Sequence, residues 1–508
     1  MTSTHKLFQL RISFWLWSLL LASTFWAGRG EAQTASFSLD GQSRGSAISN
    51  KKEDQTIPAL LVSDIHFDPF HDPSKAQQLV DSPVSQWRSI LSAPPSRDEQ
   101  QAFAALQQKC HGRGVDTPYL LLQSSLQAMR SRQPAKFITV SGDLIAHSFY
   151  CRYTTLASGA KPADYQAFVL KTLSFVVGEL RDSFPGVAIY AALGNNDTSC
   201  DDYKLDAGSD FLDQAGKILA TGLPSSQQQE VMRMFAKGGY YNLTMAAPMR
   251  DTRLIVINDL FMSPKYRACA GASDSAAAAA EMAWLRDELT DARKAGRRVW
   301  VMGHIPPGVD PYSTAVKVRD ICGKEDPEMF LSSDQLADLL IEYADVVRLG
   351  LFGHSHMDEM RLLEPKDHSR PASFQNSVAI KIVPSISPVD GNNPSFTIAR
   401  INPSSAVLQD YEVIAASNQT GVATTWSTEY DYGRAYHEAQ FSPAAVKKLI
   451  REFENDGAAK TEASEQYLRN YFVGDRSSQL KVLWRPYVCA LANHTGKAFA
   501  ACVCSAAQ

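Results

Sequence analysis

Asp64-Ile65-His66, Gly142-Asp143, Gly194-Asn195-Asn196-Asp197, Gly303-His304 and Gly353-His354-Ser355-His356 each place metal-ligating side chains directly behind an apolar run. Carboxylate, amide oxygen and imidazole are ligands for divalent zinc, iron or manganese, so the first chemistry these residues suggest is metal-assisted. In Asp64-x-His66 and His354-x-His356 the two ligands stand at i and i+2, on one side of an extended backbone. Both members of each pair can then approach one ion.

The runs at 60–62, 137–140, 187–193, 299–302 and 349–352 are short, apolar and rich in β-branched or large residues, which predicts buried strands. In an α/β protein such strands leave their ligands in the crevice at their carboxyl ends. The glycines that precede the ligands are expected to let the chain turn sharply. Between the first two motifs, residues 67–133 form a long insertion of the kind that shapes substrate access, with a helical stretch at 119–130. Met282, Leu285, Leu289 and Ala292 follow helical spacing within 274–294, as a crossover between strands requires. Residues 396–414 alternate around Asn402-Pro403-Ser404-Ser405 and read as a hairpin that closes a sheet. Beyond 415 the pattern turns helical, with Val446, Leu449, Ile450 and Phe453 on one stripe.

The ordered motifs resemble those of the calcineurin-like metallophosphoesterases: D-x-H, G-D, G-N-H-(D/E), H and G-H-x-H. Within that family, Asp64-Ile65-His66-Phe67-Asp68-Pro69, Asp143-Leu144-Ile145-Ala146-His147 and Asn393-Pro394-Ser395-Phe396 are similar to the acid sphingomyelinase-like branch. One His behind a strand is more often a buried, hydrogen-bonded residue than a ligand; five motifs in family order favour the site.

The resemblance implies a sandwich of two mixed β-sheets flanked by helices, and two divalent ions, zinc favoured with iron or manganese compatible. It implies one ion on Asp64, His66, Asp143 and His356, and the other on Asp143, Asn195, His304 and His354, with Asp143 bridging. The implied reaction is attack of a metal-bound hydroxide on phosphorus. Asn196 stands where most of the family has a His, and an amide cannot deliver a proton at neutral pH. His147, at a spacing where the sphingomyelinase-like branch has a His, is therefore the expected general acid, with Asn196 as an uncharged oxyanion donor. Asp197 is expected to orient the loop or a ligand His. The G-N-N-D variant also resembles endopolyphosphatase-type members, which keeps anhydride hydrolysis open. A binding protein that has lost catalysis is the alternative from another class, with Asn196 as its first sign.

The rest of the chain bounds these readings. In 508 residues, 44% are hydrophobic and 20% charged, an ordinary globular composition. A net charge of −4 argues against nonspecific nucleic-acid binding. Lys6 and Arg11 precede an apolar stretch over 12–27 and small residues at 30 and 32, so residues 1–32 read as a signal peptide and 33–55 as a flexible lead-in. The expected organisation is then a catalytic domain over 56–414 and a helical C-terminal subdomain over 415–508. Eight cysteines and no C-x-x-C pair fit disulfides in an exported protein, with Cys489 close in sequence to Cys502 and Cys504. A secreted or periplasmic monomer with no stable membrane span is the expectation. The lead-in leaves no room for a saposin-like lipid-presenting module, which favours soluble phosphorylated substrates or polyphosphate over membrane sphingomyelin.

Overall fold

The computed structural model describes residues 56–505, apart from 133, 158–160, 324, 367–369, 475 and 476. The expected signal peptide and lead-in lie outside the described residues. Among the described residues, twelve strands follow one another. They are β1 (Ile57–Val62), β2 (Phe137–Val140), β3 (Ala188–Ala191), β4 (Tyr241–Thr244), β5 (Thr252–Val256) and β6 (Arg298–Met302). Then come β7 (Val347–Phe352), β8 (Glu359–Leu363), β9 (Val378–Ile382), β10 (Ser395–Asn402), β11 (Val407–Ala416) and β12 (Trp426–Asp431).

The strands build two mixed sheets, in the order β12-β11-β10-β1-β2-β3 and β4-β5-β6-β7-β9-β8. All five predicted strands are present. β1, β2 and β3 run parallel in the first sheet, and β5, β6 and β7 in the second. Every residue of β2 and β3 is buried, as expected of parallel strands covered on both faces. The sheets are locked to each other through Trp300 of β6. Its ring is fully buried, meets Phe137 of β2 at 5.9 Å, and its Nε1 donates to the Ala406 carbonyl at 2.7 Å.

Register brings the ends of the parallel strands together. Val62 stands opposite Val140, Val140 opposite Ala191, and Met302 opposite Leu351, so the segments that follow β1, β2, β3, β6 and β7 emerge at one end of the sandwich. The helix expected at 119–130 is Tyr119–Arg130, and the crossover expected over 274–294 is Ala276–Lys294. The hairpin is β10 and β11.

The C-terminal region begins differently from expectation. β11 runs to Ala416 and pairs with β12 before helices take over at Tyr432. β12 is an edge strand whose side chains are largely exposed, so no apolar alternation announces it. The helices that follow include Pro443–Asn455, where Val446, Leu449, Ile450 and Phe453 are all buried, and Trp484–Ala492, which packs on β8. Four disulfides are present, Cys110–Cys151, Cys200–Cys269, Cys322–Cys504 and Cys489–Cys502. No described helix is long and apolar enough to cross a membrane.

Candidate metal centre

The ligand-bearing turns hold their shape against backbone preference. Asp64, His66, Asp143, His354 and His356 all have positive φ, between 44° and 72°. Left-handed backbone at a non-glycine residue costs on the order of 1 kcal/mol or more, and five instances on one cluster mark a site whose geometry is imposed by its surroundings. The preceding glycines act differently from the sequence expectation. Gly142 does turn, at φ +88°, but Gly194 and Gly353 serve close approach. A Cβ on Gly194 would lie 2.1 Å from Asp143 Oδ1, and one on Gly353 would lie 2.0 Å from Ser63 Oγ.

Two donor sets converge on Asp143. His66 Nε2 is 3.4 Å from Asp143 Oδ2, 3.7 Å from Asp64 Oδ1 and 3.1 Å from His356 Nε2. His304 Nε2 is 3.1 Å from the same Asp143 oxygen, 3.1 Å from Asn195 Oδ1 and 3.3 Å from His354 Nδ1. Among the described residues, three groups lie close enough to hold a metal ion: Asp64, His66 and Asp143; Asp143, His304 and His354; and His66, His147 and His356. All seven residues expected as ligands thus lie in one cluster.

The donor chemistry fits cations. His66 Nδ1 is 2.9 Å from the Ile145 carbonyl and His304 Nδ1 is 2.8 Å from the Ser141 carbonyl, so each ring gives its Nδ1 proton to the backbone and turns Nε2 to the cluster. Burial favours the neutral ring, yet the Asp143 and Asp64 carboxylates outweigh it and push His66 up to about 9. Burial is likewise overcome at His304, chiefly by Asp143, which pushes it up to about 10. Asp143 is itself held well below the usual carboxylate range, because His304 and His66 more than offset its burial. A field that would hold two protons between buried carboxylates is a field suited to divalent ions.

Surrounding groups fix this arrangement. Asp197 accepts from the backbone amides of Leu144, Ile145 and Gly194, so it ties the second motif loop to the third. Asp259 accepts from the amides of His304 and Ile305. Asn196 is turned toward Asp143. It is buried, its Nδ2 donates to Asp143 Oδ2 at 2.9 Å, its backbone N–H donates to Asp143 Oδ1 at 2.8 Å, and it does not line the cavity.

His147 does line the cavity, its ring stacked on His66 with centroids 4.0 Å apart. Its Nδ1 is 2.9 Å from Asp116 Oδ1, and its backbone N–H donates to Asp116 Oδ2. Asp116 also accepts from Arg152 and Ser387, and although burial works to raise it, His147 and Arg152 hold it far below the usual carboxylate range. Sequence reasoning missed Asp116, which sits in the insertion with no strand before it.

The cavity over the centre measures about 620 Å³. Its walls include His111 and Arg113 from the insertion, Lys265, Tyr312 and Phe330 from the second half of the sandwich, and Tyr471, Phe472 and Tyr487 from the C-terminal helices. Of the aromatic residues near the motifs, Tyr312 faces this space, whereas Phe67, Phe70 and Phe149 are core. The C-terminal wall was not legible beforehand, since its aromatics carry ordinary helical spacing.

No family model matches the chain. Curated relatives do. Sphingomyelinase phosphodiesterase C of Dictyostelium discoideum is 25% identical over 344 residues, 65% of this chain and 70% of the relative. Cyclic GMP-AMP phosphodiesterase SMPDL3A of Rattus norvegicus is 24% identical over 368 residues, 70% of this chain and 73% of the relative. Acid sphingomyelinase-like phosphodiesterase 3b of Homo sapiens is 25% identical over 409 residues, 78% of this chain and 79% of the relative. With the motif order, the two-sheet fold and these relatives agreeing, the chain is similar to the acid sphingomyelinase-like phosphodiesterases.

Proposed function

We propose that this phosphoester hydrolase acts outside the cytoplasm on soluble phosphodiesters, phosphomonoesters or phosphoanhydrides, and that its two donor sets each hold one divalent ion. The observation that carries this reading is the position of Asp143 Oδ2, shared between His66 Nε2 at 3.4 Å and His304 Nε2 at 3.1 Å. Asp64, His66, Asp143 and His356 would hold one ion; Asp143, Asn195, His304 and His354 would hold the other. Zinc suits these ligands, as do iron and manganese. When bound, such a pair supplies Lewis acidity toward a phosphoryl oxygen and lowers the pKa of a coordinated water.

The chain's own side chains supply the rest. Asp116 anchors His147 through Nδ1, which leaves Nε2 as the free nitrogen on a ring that lines the cavity. His147 thereby protonates the leaving oxygen. Asn196 steadies Asp143 and is assigned no proton transfer. Arg113 and Lys265 offer positive charge in the walls, and Tyr312 and Tyr487 offer flat apolar surface, which suits a nucleotide or other compact phosphorylated solute. Four disulfides favour an oxidising, exported setting.

The test is a substrate panel under one set of metals and pH values: bis-p-nitrophenyl phosphate, ATP, polyphosphate and sphingomyelin. Turnover of at least one soluble substrate well above sphingomyelin is expected. Turnover of sphingomyelin alone would overturn the substrate class, and two bound metals with no turnover on any member would favour a binding protein.

A further inference from the structure

Asn195 is the one expected ligand whose two side-chain ends differ in kind: Oδ1 can bind a cation and Nδ2 cannot. Packing alone barely distinguishes them, since an amide has nearly the same shape after a half turn. Hydrogen bonding has to choose.

Oδ1 faces the centre, 3.1 Å from His304 Nε2, while Nδ2 faces away and donates to Asp202 Oδ1 at 2.8 Å. A carboxylate accepts and does not donate, so it rewards only the orientation that presents Nδ2 to it and Oδ1 to the metals. The backbone around Asp202 is itself held by main-chain bonds. The Tyr203 amide donates to the Asn195 carbonyl at 3.0 Å, and the Arg267 amide donates to the Tyr203 carbonyl at 3.0 Å. The Leu205 amide donates back to the Arg267 carbonyl at 3.2 Å, and the Cys200–Cys269 disulfide closes this strap on its other side. The backbone that carries Asp202 is therefore held by bonds that do not involve the Asn195 side chain.

We propose that Asp202 is a positioning residue: it fixes the amide orientation of Asn195 and so sets the cation affinity of the half of the centre formed with Asp143, His304 and His354. This rests on the dinuclear reading above. The other half, built on Asp64, His66 and His356, has no amide ligand and no dependence on Asp202.

Full-length protein stripped with a chelator and titrated calorimetrically with Mn²⁺ alone tests this, with far-UV circular dichroism as the check on folding. The parent is expected to show two sites. D202N keeps the shape but offers an amide that accepts and donates equally, so one site should weaken about 10- to 100-fold while the other keeps its affinity. N195D/D202N should recover most of the loss, because a carboxylate at 195 has an oxygen at either end and receives a hydrogen bond from the amide at 202. An unchanged D202N titration, equal weakening of both sites, or no recovery in the double variant would overturn the proposal. A parent that binds fewer than two ions would overturn the dinuclear reading itself, a separate failure visible before any variant is made.

Discussion

His147 Nδ1 lies 2.9 Å from Asp116 Oδ1, and the same carboxylate takes the His147 backbone N–H at 3.0 Å. Ring and backbone are thus gripped by one group from the insertion, which leaves Nε2 free on the cavity side. His147→Gln is expected to slow hydrolysis of esters with poorly acidic leaving alcohols by about 10²- to 10⁴-fold and to affect p-nitrophenyl esters much less. Asp116→Asn should reproduce a smaller version of the same leaving-group dependence. A steady-state comparison of alkyl and p-nitrophenyl esters checks both, and equal losses on the two ester types would remove His147 from the acid role.

Asn196 gives the second prediction, because two readings of it diverge. A donor to a phosphoryl oxygen would cost about 10²- to 10³-fold in kcat when removed, with metal binding intact. A donor to Asp143 Oδ2, which is where its amide lies, contributes on the order of 1 to 2 kcal/mol to holding that carboxylate. Asn196→Ala should therefore weaken metal binding by roughly 10-fold and lower activity mainly at limiting metal. Activity measured across a metal titration separates the two, and a kcat loss that excess metal does not recover would restore the oxyanion role.

Much of this site could be read along the chain because each expected ligand follows directly on a buried strand, and strand ends are where an α/β sheet collects its chemistry. Asp64, Asp143 and His304 were legible for that reason. Asp116 and Asp202 were not, since their partners are set by tertiary packing: Asp116 meets His147 across 31 residues from within an insertion, and Asp202 meets Asn195 through a strap that a disulfide closes. Asn196 was legible as a departure from pattern, but its contact with Asp143 was not, because that depends on the rotamer its amide adopts. β12 escaped notice since Ser427, Thr428 and Glu429 are exposed and the strand is held by backbone pairing to β11.

Away from the metals, Glu281 predicts a pH dependence of stability. It is fully buried, and burial holds its carboxyl well above the ordinary value of 4.5 despite the hydrogen bond it accepts from the Asn258 amide. The folded chain therefore keeps a proton that the unfolded chain gives up. The stability from this group is complete below pH 4.5 and is lost progressively as pH rises toward the folded-state value. Glu281→Gln keeps a neutral group of the same shape and removes the slope. Urea midpoints from about pH 5 to 8 should shift in favour of the variant by up to about 1.4 kcal/mol per pH unit, and parallel profiles would contradict the assignment.

Asp143 carries the central claim, since its Oδ2 joins both donor sets. Asp143→Asn is expected to lower metal content and to reduce turnover by at least about 100-fold, more than any loss from a supporting residue. Elemental analysis with kinetics on one sample checks both, and full activity at normal metal content would exclude the bridge.

The most direct test is paramagnetic. Apo-protein reconstituted with Mn²⁺ is counted by elemental analysis and examined by electron paramagnetic resonance. Two ions per chain with the spectrum of an exchange-coupled pair is the predicted result, because ligands that share one carboxylate oxygen must hold neighbouring ions. One ion per chain, or two that give independent signals, would contradict it.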